Sequence, residues 1–408
     1  MADARAFDLS RLDREFFENP YPVYRALREH DPVHRMADGS YFLTCYADLH
    51  AIYREATTWS SDKRAAFKPK YGDSPLFEHH TTSLVFNDPP YHTRVRRLLG
   101  PTFMPRALQA LEPRIKALVE RLLDRIVEQD GKADLIADFA SAIPVQLIGD
   151  LLGVPQDERG PLRGWSLAIL GALEPVLTPQ QLDDGNRSII DFKRYLQDLI
   201  ARRKRSAAAD AGEVLSQLIA ATDFTREKGN EAKLSELELL HNCIFLLNAG
   251  HETTTNLIGN AVDLLLRHPA AMQELREHPE LLPSAVEEFL RMESSNQLGN
   301  RMAAKDAAVG GVAMPAGTYV HLCIGAANRD PAQFPDADRL DLRRQPNRHL
   351  AFGAGIHTCA GNALARMEAQ VAIGALLRRF KSIARADPAV RGGRARFRGF
   401  LRYPVLLS

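Results

Sequence analysis

The chain has 408 residues, of which 45% are hydrophobic and 25% are charged, an ordinary profile for a globular protein. Its formal net charge of +1 gives no indication of nucleic acid or a charged membrane as a partner. Since the N-terminus lacks a signal-peptide core and no long uncharged apolar run follows, we expect a soluble, cytoplasmic protein without a membrane anchor. The four cysteines are far apart and lack CxxC spacing, which argues against zinc and iron–sulfur sites.

The first ninety residues predict short elements. Asn19 followed by Pro20 predicts the start of a short helix that runs through Leu27. The Asp38-Gly39 pair between two apolar-rich runs predicts a β-hairpin over residues 33–46. Residues 60–88 are mixed in character and predict a long irregular loop, which is usually functional or disordered.

The middle of the chain predicts mainly helices. Asp88-Pro89-Pro90 opens one helix, and apolar spacing from Leu108 to Ile126 predicts a long amphipathic one. Ser235 and Glu238 form a capping-box pattern at the start of the longest predicted helix, which reaches Leu266. Further helices are predicted at 136–152, 158–171, 180–204 and 212–222.

The last third adds a small β portion. Residues 301–324 predict short strands with glycine-containing turns, a final helix is predicted from Cys359 to about Phe380, and residues 395–407 predict a hairpin. Pro269 and Pro283 each open a short helix before these strands. Because no boundary separates two complete cores, we predict one mainly α domain over residues 1–408.

The stretch from Phe352 to Gly361 holds Cys359 between glycines and just before a helix start. The helix dipole and free amides there favour an anion and lower the pKa of a thiol. Gly353 and Gly355 allow a positive φ and a close approach by something flat. Such a thiolate can be a nucleophile, a metal ligand or a haem ligand, whereas most free cysteines are buried structural thiols. The glycines and the helix start favour the functional interpretation.

Two more segments carry chemistry. In the longest helix, Gly250 is followed by the threonines from Thr253 to Thr255. One interpretation is a glycine that the helix tolerates next to packed β-branched side chains, and the other is a local widening of the helix that makes room for a ligand beside Gly250. Glu288 and Arg291 stand at i, i+3, a pair that is common on solvated surfaces, and Glu287 could equally pair with Arg291.

These segments together resemble the cytochrome P450 family, whose haem-binding loop reads Phe-Gly-x-Gly-x-His-x-Cys-x-Gly. Every fixed position of that motif, from Phe352 to Gly361, matches in this chain. The resemblance implies that Cys359 is the proximal thiolate on haem iron and that His357 contacts a haem propionate. It covers essentially the whole chain and implies a mainly α fold with a small β portion, in which haem lies between a long distal helix and the proximal cysteine-loop helix.

The resemblance also assigns the distal residues. The segment Ala249-Gly250-His251-Glu252-Thr253 matches the distal-helix motif, so Ala249 and Gly250 would line the oxygen pocket, while Glu252 and Thr253 would deliver protons to dioxygen.

Residues that support the haem follow from the same resemblance. His92, Arg96 and Arg301 would complete the propionate clamp, because two carboxylates in an apolar cavity require such partners. Glu288 and Arg291 would form a structural network with an arginine of a later loop, which we assign to Arg339.

The substrate side departs from the family pattern. In the family, the segment after the residue that corresponds to Arg291 usually carries a proline and an apolar residue, but this chain has Ser295 and Asn296 at those positions. Asn296 either bonds a polar group of an otherwise apolar substrate or turns to the backbone to replace a missing bond. The substrate candidates are Phe77, Leu84, Val85, Leu246, Asn296, Gln297 and Phe400.

The sequence therefore predicts a haem-thiolate monooxygenase with haem b and O2 that oxidises a small to medium apolar molecule. Alternatives are a peroxygenase that uses hydrogen peroxide, or a haem-binding sensor or carrier without turnover. We expect a monomer that takes electrons from a separate ferredoxin or flavodoxin and an NAD(P)H-dependent reductase. Arg94, Arg97 and Arg366 are candidates for a basic docking patch, although a solvated face is the ordinary role of such arginines.

Overall fold

The computed structural model describes residues 6–205, 214–226 and 233–408, and most of this part is helical. No described helix is both long enough and apolar enough to cross a membrane. The helices are α1 (Arg14–Glu18), α2 (Tyr21–His30), α3 (Tyr46–Arg54), α4 (Arg64–Tyr71), α5 (Pro75–Thr82), α6 (Tyr91–Leu99), α7 (Pro105–Glu128), α8 (Ala142–Leu151), α9 (Leu162–Gly171), α10 (Pro179–Arg205), α11 (Val214–Ala220), α12 (Glu236–Arg267), α13 (Pro269–Glu277), α14 (Leu282–Met292), α15 (Ile324–Ala327) and α16 (Asn362–Arg379).

The strands are short and lie mainly in the C-terminal third. They are β1 (Val33–Arg35), β2 (Tyr41–Leu43), β3 (Trp59–Ser60), β4 (Lys132–Asp134), β5 (Leu298–Ala303), β6 (Ala307–Val309), β7 (Val312–Met314), β8 (Tyr319–Cys323), β9 (Ile383–Arg385), β10 (Val390–Arg391), β11 (Phe400–Arg402) and β12 (Pro404–Leu407).

The chain forms two compact units. The first contains residues up to Ser60, Glu112–Ile143 and Thr253–Ser408, and the second contains Ser61–Leu111 and Pro144–Glu252. The division falls inside α12, between Glu252 and Thr253. The single haem domain over residues 1–408 stays a prediction.

The first unit is built on a five-stranded sheet in the order β1-β2-β8-β5-β3. β1 and β2 form the predicted hairpin around Asp38-Gly39, and Gly39 has a φ of +85° in its turn. β5 pairs antiparallel with β8, which places Arg301 opposite Val320. One face of the sheet packs into a buried apolar cluster that includes Leu43, Leu322 and Ala327.

The C-terminal tail differs from its prediction. β11 pairs with β10, whereas β12 pairs with β4 on one side and β9 on the other. The prediction of one hairpin over residues 395–407 is wrong, because β11 pairs with the preceding strand β10, whereas β12 pairs with the more distant β4 and β9 and not with β11.

The second unit is helical around one apolar core. Phe192, Leu196, Leu215 and Ile244 are completely buried in it. α4 and α5 occupy most of the stretch 60–88, so the prediction of an irregular loop there is wrong.

Physical reasons for these helices are visible in the structure. Ser74 caps α5 by accepting the Phe77 N–H over 3.3 Å, and Pro75 occupies the first turn of the helix. In α4, Phe67 and Tyr71 stand four residues apart and are both buried. One cap, one proline in a first turn and one pair of buried apolar residues are enough to stabilise these short helices when tertiary packing supports them.

The longest helix begins as predicted. The Ser235 N–H donates to Glu238 Oε2 over 2.9 Å, and the Glu238 N–H donates to Ser235 Oγ over 3.3 Å. This reciprocal capping box satisfies two backbone donors at the start of α12. The predicted helix at 212–222 is present as α11, while its residues 212 and 213 lie outside the described residues.

Candidate functional site

Cys359 ends a loop of the first unit that begins at Phe352. The Cys359 N–H donates to the Phe352 carbonyl oxygen over 2.9 Å and closes the loop. Gly353 and Gly355 have φ angles of +65° and +71°, which other residues rarely adopt. A Cβ atom on Gly355 would lie 2.2 Å from the carbonyl oxygen of Tyr53. The loop therefore needs these glycines, and it holds the cysteine in a fixed position.

The helix that follows starts slightly later than predicted. α16 begins at Asn362, and a short 3-10 turn over Gly355–His357 precedes Cys359. The Asn362 side-chain amide donates to the Cys359 carbonyl oxygen over 2.6 Å. This bond ties the cysteine backbone to the first turn of α16, where the helix has unpaired backbone donors.

The other three cysteines are ordinary structural thiols. Burial raises the pKa of Cys45 to about 11, with Asp330 adding to the effect. Burial likewise raises the pKa values of Cys243 and Cys323 to about 12. They are therefore neutral thiols near neutral pH and poor ligands. Cys359 is the half-buried cysteine that lies on a glycine-flanked loop.

A charged cluster of Arg366, Glu287 and His349 packs against Phe352. The Arg366 guanidinium lies 4.6 Å from the centre of the Phe352 ring and makes two hydrogen bonds to Glu287, at 2.6 and 2.9 Å. His349 Nε2 donates to the same carboxylate over 3.2 Å. Burial alone would raise the pKa of Glu287, but the hydrogen bonds from His349 and Arg366 together outweigh it and lower the pKa to about 2. The carboxylate is therefore charged, and Arg366 is held by it rather than free for docking.

Glu288 and Arg291 form a fully buried ion pair with two hydrogen bonds of 2.8 and 2.7 Å. The alternative pairing of Glu287 with Arg291 is not the one observed. The Arg291 guanidinium also donates to the carbonyl oxygens of Asn328 and Ala337, over 2.9 and 2.7 Å. Because Arg291 binds these carbonyls, the pair fixes the loop after α15 as well as α14.

The third member of this network is Arg344, and the prediction of Arg339 is wrong. Arg344 Nε lies 3.2 Å from Glu288, and its side chain is 8% exposed. The Arg339 side chain is 66% exposed and pairs with Asp341. Only the backbone carbonyl of Arg339 meets the network, where Arg291 and Arg344 donate to it.

The distal motif lies on α12, which continues without interruption through the threonines. In the second unit, a Cβ atom on Gly250 would lie 2.7 Å from Ile148 Cδ1, so the glycine allows close packing of α8. Ala249 is exposed, while Glu252 is 6% exposed. This close packing supports a structural reason for Gly250.

Ser295 makes a contact that the sequence did not indicate. Within the first unit, its Oγ donates to the carbonyl oxygen of Thr253 over 2.7 Å. The adjacent Asn296 forms an antiparallel bridge with Phe397, and its buried Oδ1 accepts no hydrogen bond from the described residues. The Ser295 bond joins residues 42 positions apart, so no local pattern could have revealed it.

The predicted propionate residues of the second unit lie on α6. His92 is buried, and Arg96 stands one turn later on the same face. Arg94, predicted as a docking residue, is 13% exposed and pairs with Glu238 over 2.6 Å. The docking prediction is therefore wrong for Arg94, whereas Arg97 is exposed.

The predicted propionate residues of the first unit are Arg301 and His357. Arg301 is 9% exposed on β5, and its guanidinium donates to the Asn300 carbonyl over 2.7 Å. The same guanidinium lies 5.1 Å from the centre of the Tyr53 ring. These contacts hold a cation on β5, an inner strand of the sheet. His357 is the last residue of the 3-10 turn before Cys359.

The substrate candidates fall into two groups. In the second unit, Leu84 belongs to the apolar core, while Phe77 and Leu246 pack against it and Val85 is half-buried. In the first unit, Gln297 is 1% exposed and donates to the Ser294 carbonyl over 2.6 Å.

Phe400 in the first unit is 6% exposed and is enclosed by protein groups. Its ring lies 4.8 Å from that of Tyr403, edge to face, and 4.1 Å from the Arg391 guanidinium. This packing favours a structural role for Phe400.

Comparison with known proteins gives a consistent family relationship. The family model described as "Cytochrome P450" matches residues 170–389. The chain is 40% identical to "Vitamin D(3) 25-hydroxylase" of Pseudonocardia autotrophica, over 96% of this chain and 95% of that one. It is 37% identical to "Biotin biosynthesis cytochrome P450" of Bacillus subtilis, over 93% of both chains. The structure of P450BioI with an acyl carrier protein carrying hexadec-9Z-enoic acid superposes with a TM-score of 0.88 at 35% identity, covering 97% of this chain and all of that one.

Proposed function

The chain belongs to the cytochrome P450 family and is a monooxygenase, and we propose that Cys359 is the thiolate ligand of its haem iron. The observation that carries the proposal is the closed loop around Cys359. Its glycines and the Phe352 hydrogen bond fix the cysteine next to a helix start, where an anionic sulfur is favoured.

The residues of the loop fit a haem. No residue from Phe352 to Gly361 is fully buried, so the loop offers a surface to a flat group. A thiolate is a soft ligand that suits haem iron, as in this family. The chain has no Cys-x-x-Cys-His motif for covalent attachment, which supports haem b as the form.

When bound, the haem supplies reductive activation of O2, with one oxygen atom inserted into a C–H bond and the other released as water. Cys359 binds the iron. The cluster of Arg366, Glu287 and His349 keeps Phe352 in place and so holds the loop that orients the sulfur. The buried pair of Glu288 and Arg291 fixes the adjacent loops in the same way.

Residues of α12 and the cationic side chains complete the proposal. Glu252 and Thr253 would hold and pass protons toward the oxygen position beside Ala249 and Gly250, because a dry site supplies none. The haem propionates would be paired by His92, Arg96, Arg301 and His357.

We assign the electrons to separate partners, as is general for bacterial members of the family. A ferredoxin or flavodoxin with its NAD(P)H-dependent reductase is the proposed source, and the working form is a cytoplasmic monomer. Arg97 is the one residue of the suggested docking patch that stays exposed, because Arg94 and Arg366 hold carboxylates.

The proposed substrate is a small to medium, largely apolar molecule with a polar group that meets Asn296. Oδ1 of this side chain is buried, and we assign the ligand contact to Nδ2, the other end of the amide. A donor calls for an acceptor such as a carbonyl, hydroxyl or carboxylate oxygen. The relatives' names, a vitamin D(3) hydroxylase and a biotin-biosynthesis enzyme, are compatible with largely apolar molecules that carry such a group.

The test is the absorption spectrum of the reduced protein with carbon monoxide. We expect the long-wavelength Soret band of thiolate-ligated haem in the wild type and in a Cys45→Ser variant. Cys359→Ser should lose this band while keeping its circular dichroism. A wild-type band at the shorter wavelength of a neutral axial ligand, or the same loss in Cys45→Ser, would contradict the assignment of Cys359.

A further inference from the structure

One side of α12 in the first unit carries a row of polar contacts. Asn260 Nδ2 donates to the carbonyl oxygens of Arg398 and Glu293, over 2.9 and 3.3 Å. One turn further on, Asp263 accepts from the Tyr403 hydroxyl over 3.0 Å. These residues follow Thr253 at helical spacing, so they lie along one face of the helix.

Ser295 forms the first contact of this row, at Thr253. Its Oγ–H donates to the Thr253 carbonyl oxygen over 2.7 Å, a normal distance for such a bond. Ser295 is itself held by a backbone hydrogen bond, because the Arg398 N–H donates to the Ser295 carbonyl over 2.9 Å. The Gln297 N–H likewise donates to the Arg396 carbonyl over 2.7 Å.

The Ser295 hydrogen bond is made to the backbone carbonyl of Thr253, the residue that we propose passes protons. In an α-helix the Thr253 carbonyl accepts from the Leu257 N–H, and the Ser295 hydroxyl takes a second lone pair. A second bond at an angle to the helix axis fixes the tilt of this peptide plane. It also fixes the rotation of α12 at Thr253, because Ser295 is 5% exposed and cannot easily move away.

We propose that Ser295 is a positioning residue that holds Thr253 in the orientation needed to pass protons. The inference rests on the proposed monooxygenase function, and it deepens the role of this same site. Proline, which usually stands at this position in the family, has no hydroxyl to donate. The bond is therefore a property of this chain, and proton delivery here depends on a side chain outside the distal helix.

The consequence can be measured without knowing the organic substrate. Dioxygen that receives two electrons and two protons leaves as hydrogen peroxide, whereas four electrons and four protons give two waters. With a surrogate ferredoxin, its reductase and NADPH, the ratio of water to peroxide reports how well protons are delivered. One neutral hydrogen bond contributes about 1 kcal/mol, which corresponds to roughly five-fold in such a ratio.

The experiment compares three variants of the haem-loaded protein. Ser295→Ala should lower the water-to-peroxide ratio about five-fold, and Ser295→Thr, which keeps a hydroxyl, should restore it to within two-fold. Ser294→Ala is the matched control. Its Oγ donates to the Leu290 carbonyl and accepts from Asn328, and among the described residues neither bond involves α12. Ser294→Ala should therefore lower the melting temperature and leave the ratio unchanged.

A second readout does not depend on turnover. Hydrogen–deuterium exchange of peptides that cover residues 253–260 should be faster in Ser295→Ala and near wild type in Ser295→Thr. Unchanged exchange, an unchanged ratio, a wild type that releases only peroxide, or an equal effect of Ser294→Ala would each overturn the proposal. Failure of the monooxygenase assignment itself would appear separately, as loss of the thiolate-type carbon monoxide spectrum in the wild type.

Discussion

Asn296 combines a cost to the fold with a proposed role in ligand binding. An unpaired buried amide oxygen costs roughly 1–3 kcal/mol relative to a hydrogen-bonded one. The structure gives Asn296 Oδ1 no partner among the described residues, which contradicts the idea that this oxygen replaces a missing backbone bond. We relate this cost to the proposed role of the other end of the amide, Nδ2, in binding a ligand.

Asn296→Val should therefore have opposite effects on stability and binding. Stability in urea should be unchanged or rise by up to about 1 kcal/mol, because an unsatisfied polar atom is removed. Binding of vitamin D3 and of hexadec-9Z-enoic acid is measured by the spin-state shift of the haem. The affinity should fall about ten-fold for a ligand whose oxygen contacts the Asn296 side chain. A loss of stability together with unchanged binding of every turned-over ligand would show that Asn296 is purely structural.

Residues fixed by short motifs were accessible from the sequence, whereas their partners were not. The loop from Phe352 to Cys359 follows from its local motif. The pairing of Glu288 with Arg291 follows from the family resemblance, because spacing alone also allowed Glu287 to pair with Arg291. Ser295 could not be assigned in this way, because its bond to Thr253 depends on how two distant segments pack.

Elements show the same contrast between local and distant causes. The capping box of α12 and the hairpin of β1 and β2 are local, and both are confirmed. α4 and α5 were missed, since short helices with mixed composition depend on burial of residues such as Phe67 and Leu76. β12 pairs with strands more than 20 and 270 positions away, and a hairpin pattern carries no information about them.

The loop that follows α15 gives a prediction at this scale. Arg344→Ala removes a cation beside Glu288, which is completely buried, and should destabilise the protein by about 2 kcal/mol or more. Arg339→Ala is the matched control, because its exposed ion pair contributes little, and the change should stay within about 0.5 kcal/mol. Urea unfolding measures both. Equal effects of the two substitutions would mean that Arg344 is not a member of the network.

For the whole molecule, the fold class follows from the order of the motifs and the long α12, and the family relationship confirms it. The division into two units was not visible in the sequence, because each unit collects stretches that are far apart. Two such stretches of the first unit meet at Glu293, where Arg398 donates over 2.7 Å and the Tyr21 hydroxyl over 3.1 Å. These long-range ties are what local spacing cannot predict.

Buried carboxyl groups give the whole molecule a pH-dependent stability. Burial alone would raise the pKa of Glu293, but the charges of Arg398, Arg329 and Arg391 together outweigh it and lower the pKa to about 2. A carboxyl group with a lowered folded pKa stabilises the protein above its unfolded value. That stability is lost as the pH falls toward 2. Glu368 on α16 acts in the opposite direction, since burial alone raises its pKa to about 8 and its Oε2 has no partner among the described residues.

Glu368→Gln should flatten the stability curve on its alkaline side. Between the ordinary pKa of 4.5 and about 8, the folded wild type holds a proton that the unfolded chain releases, so its stability falls as the pH rises. The expected slope is about 1.4 kcal/mol per pH unit, or roughly 2–3 kcal/mol from pH 5.5 to 7.5. Glutamine cannot ionise, so the difference between the two unfolding curves in urea isolates this group from the histidines that both proteins share. A difference that stays constant over this interval would show that Glu368 is ionised in the folded protein.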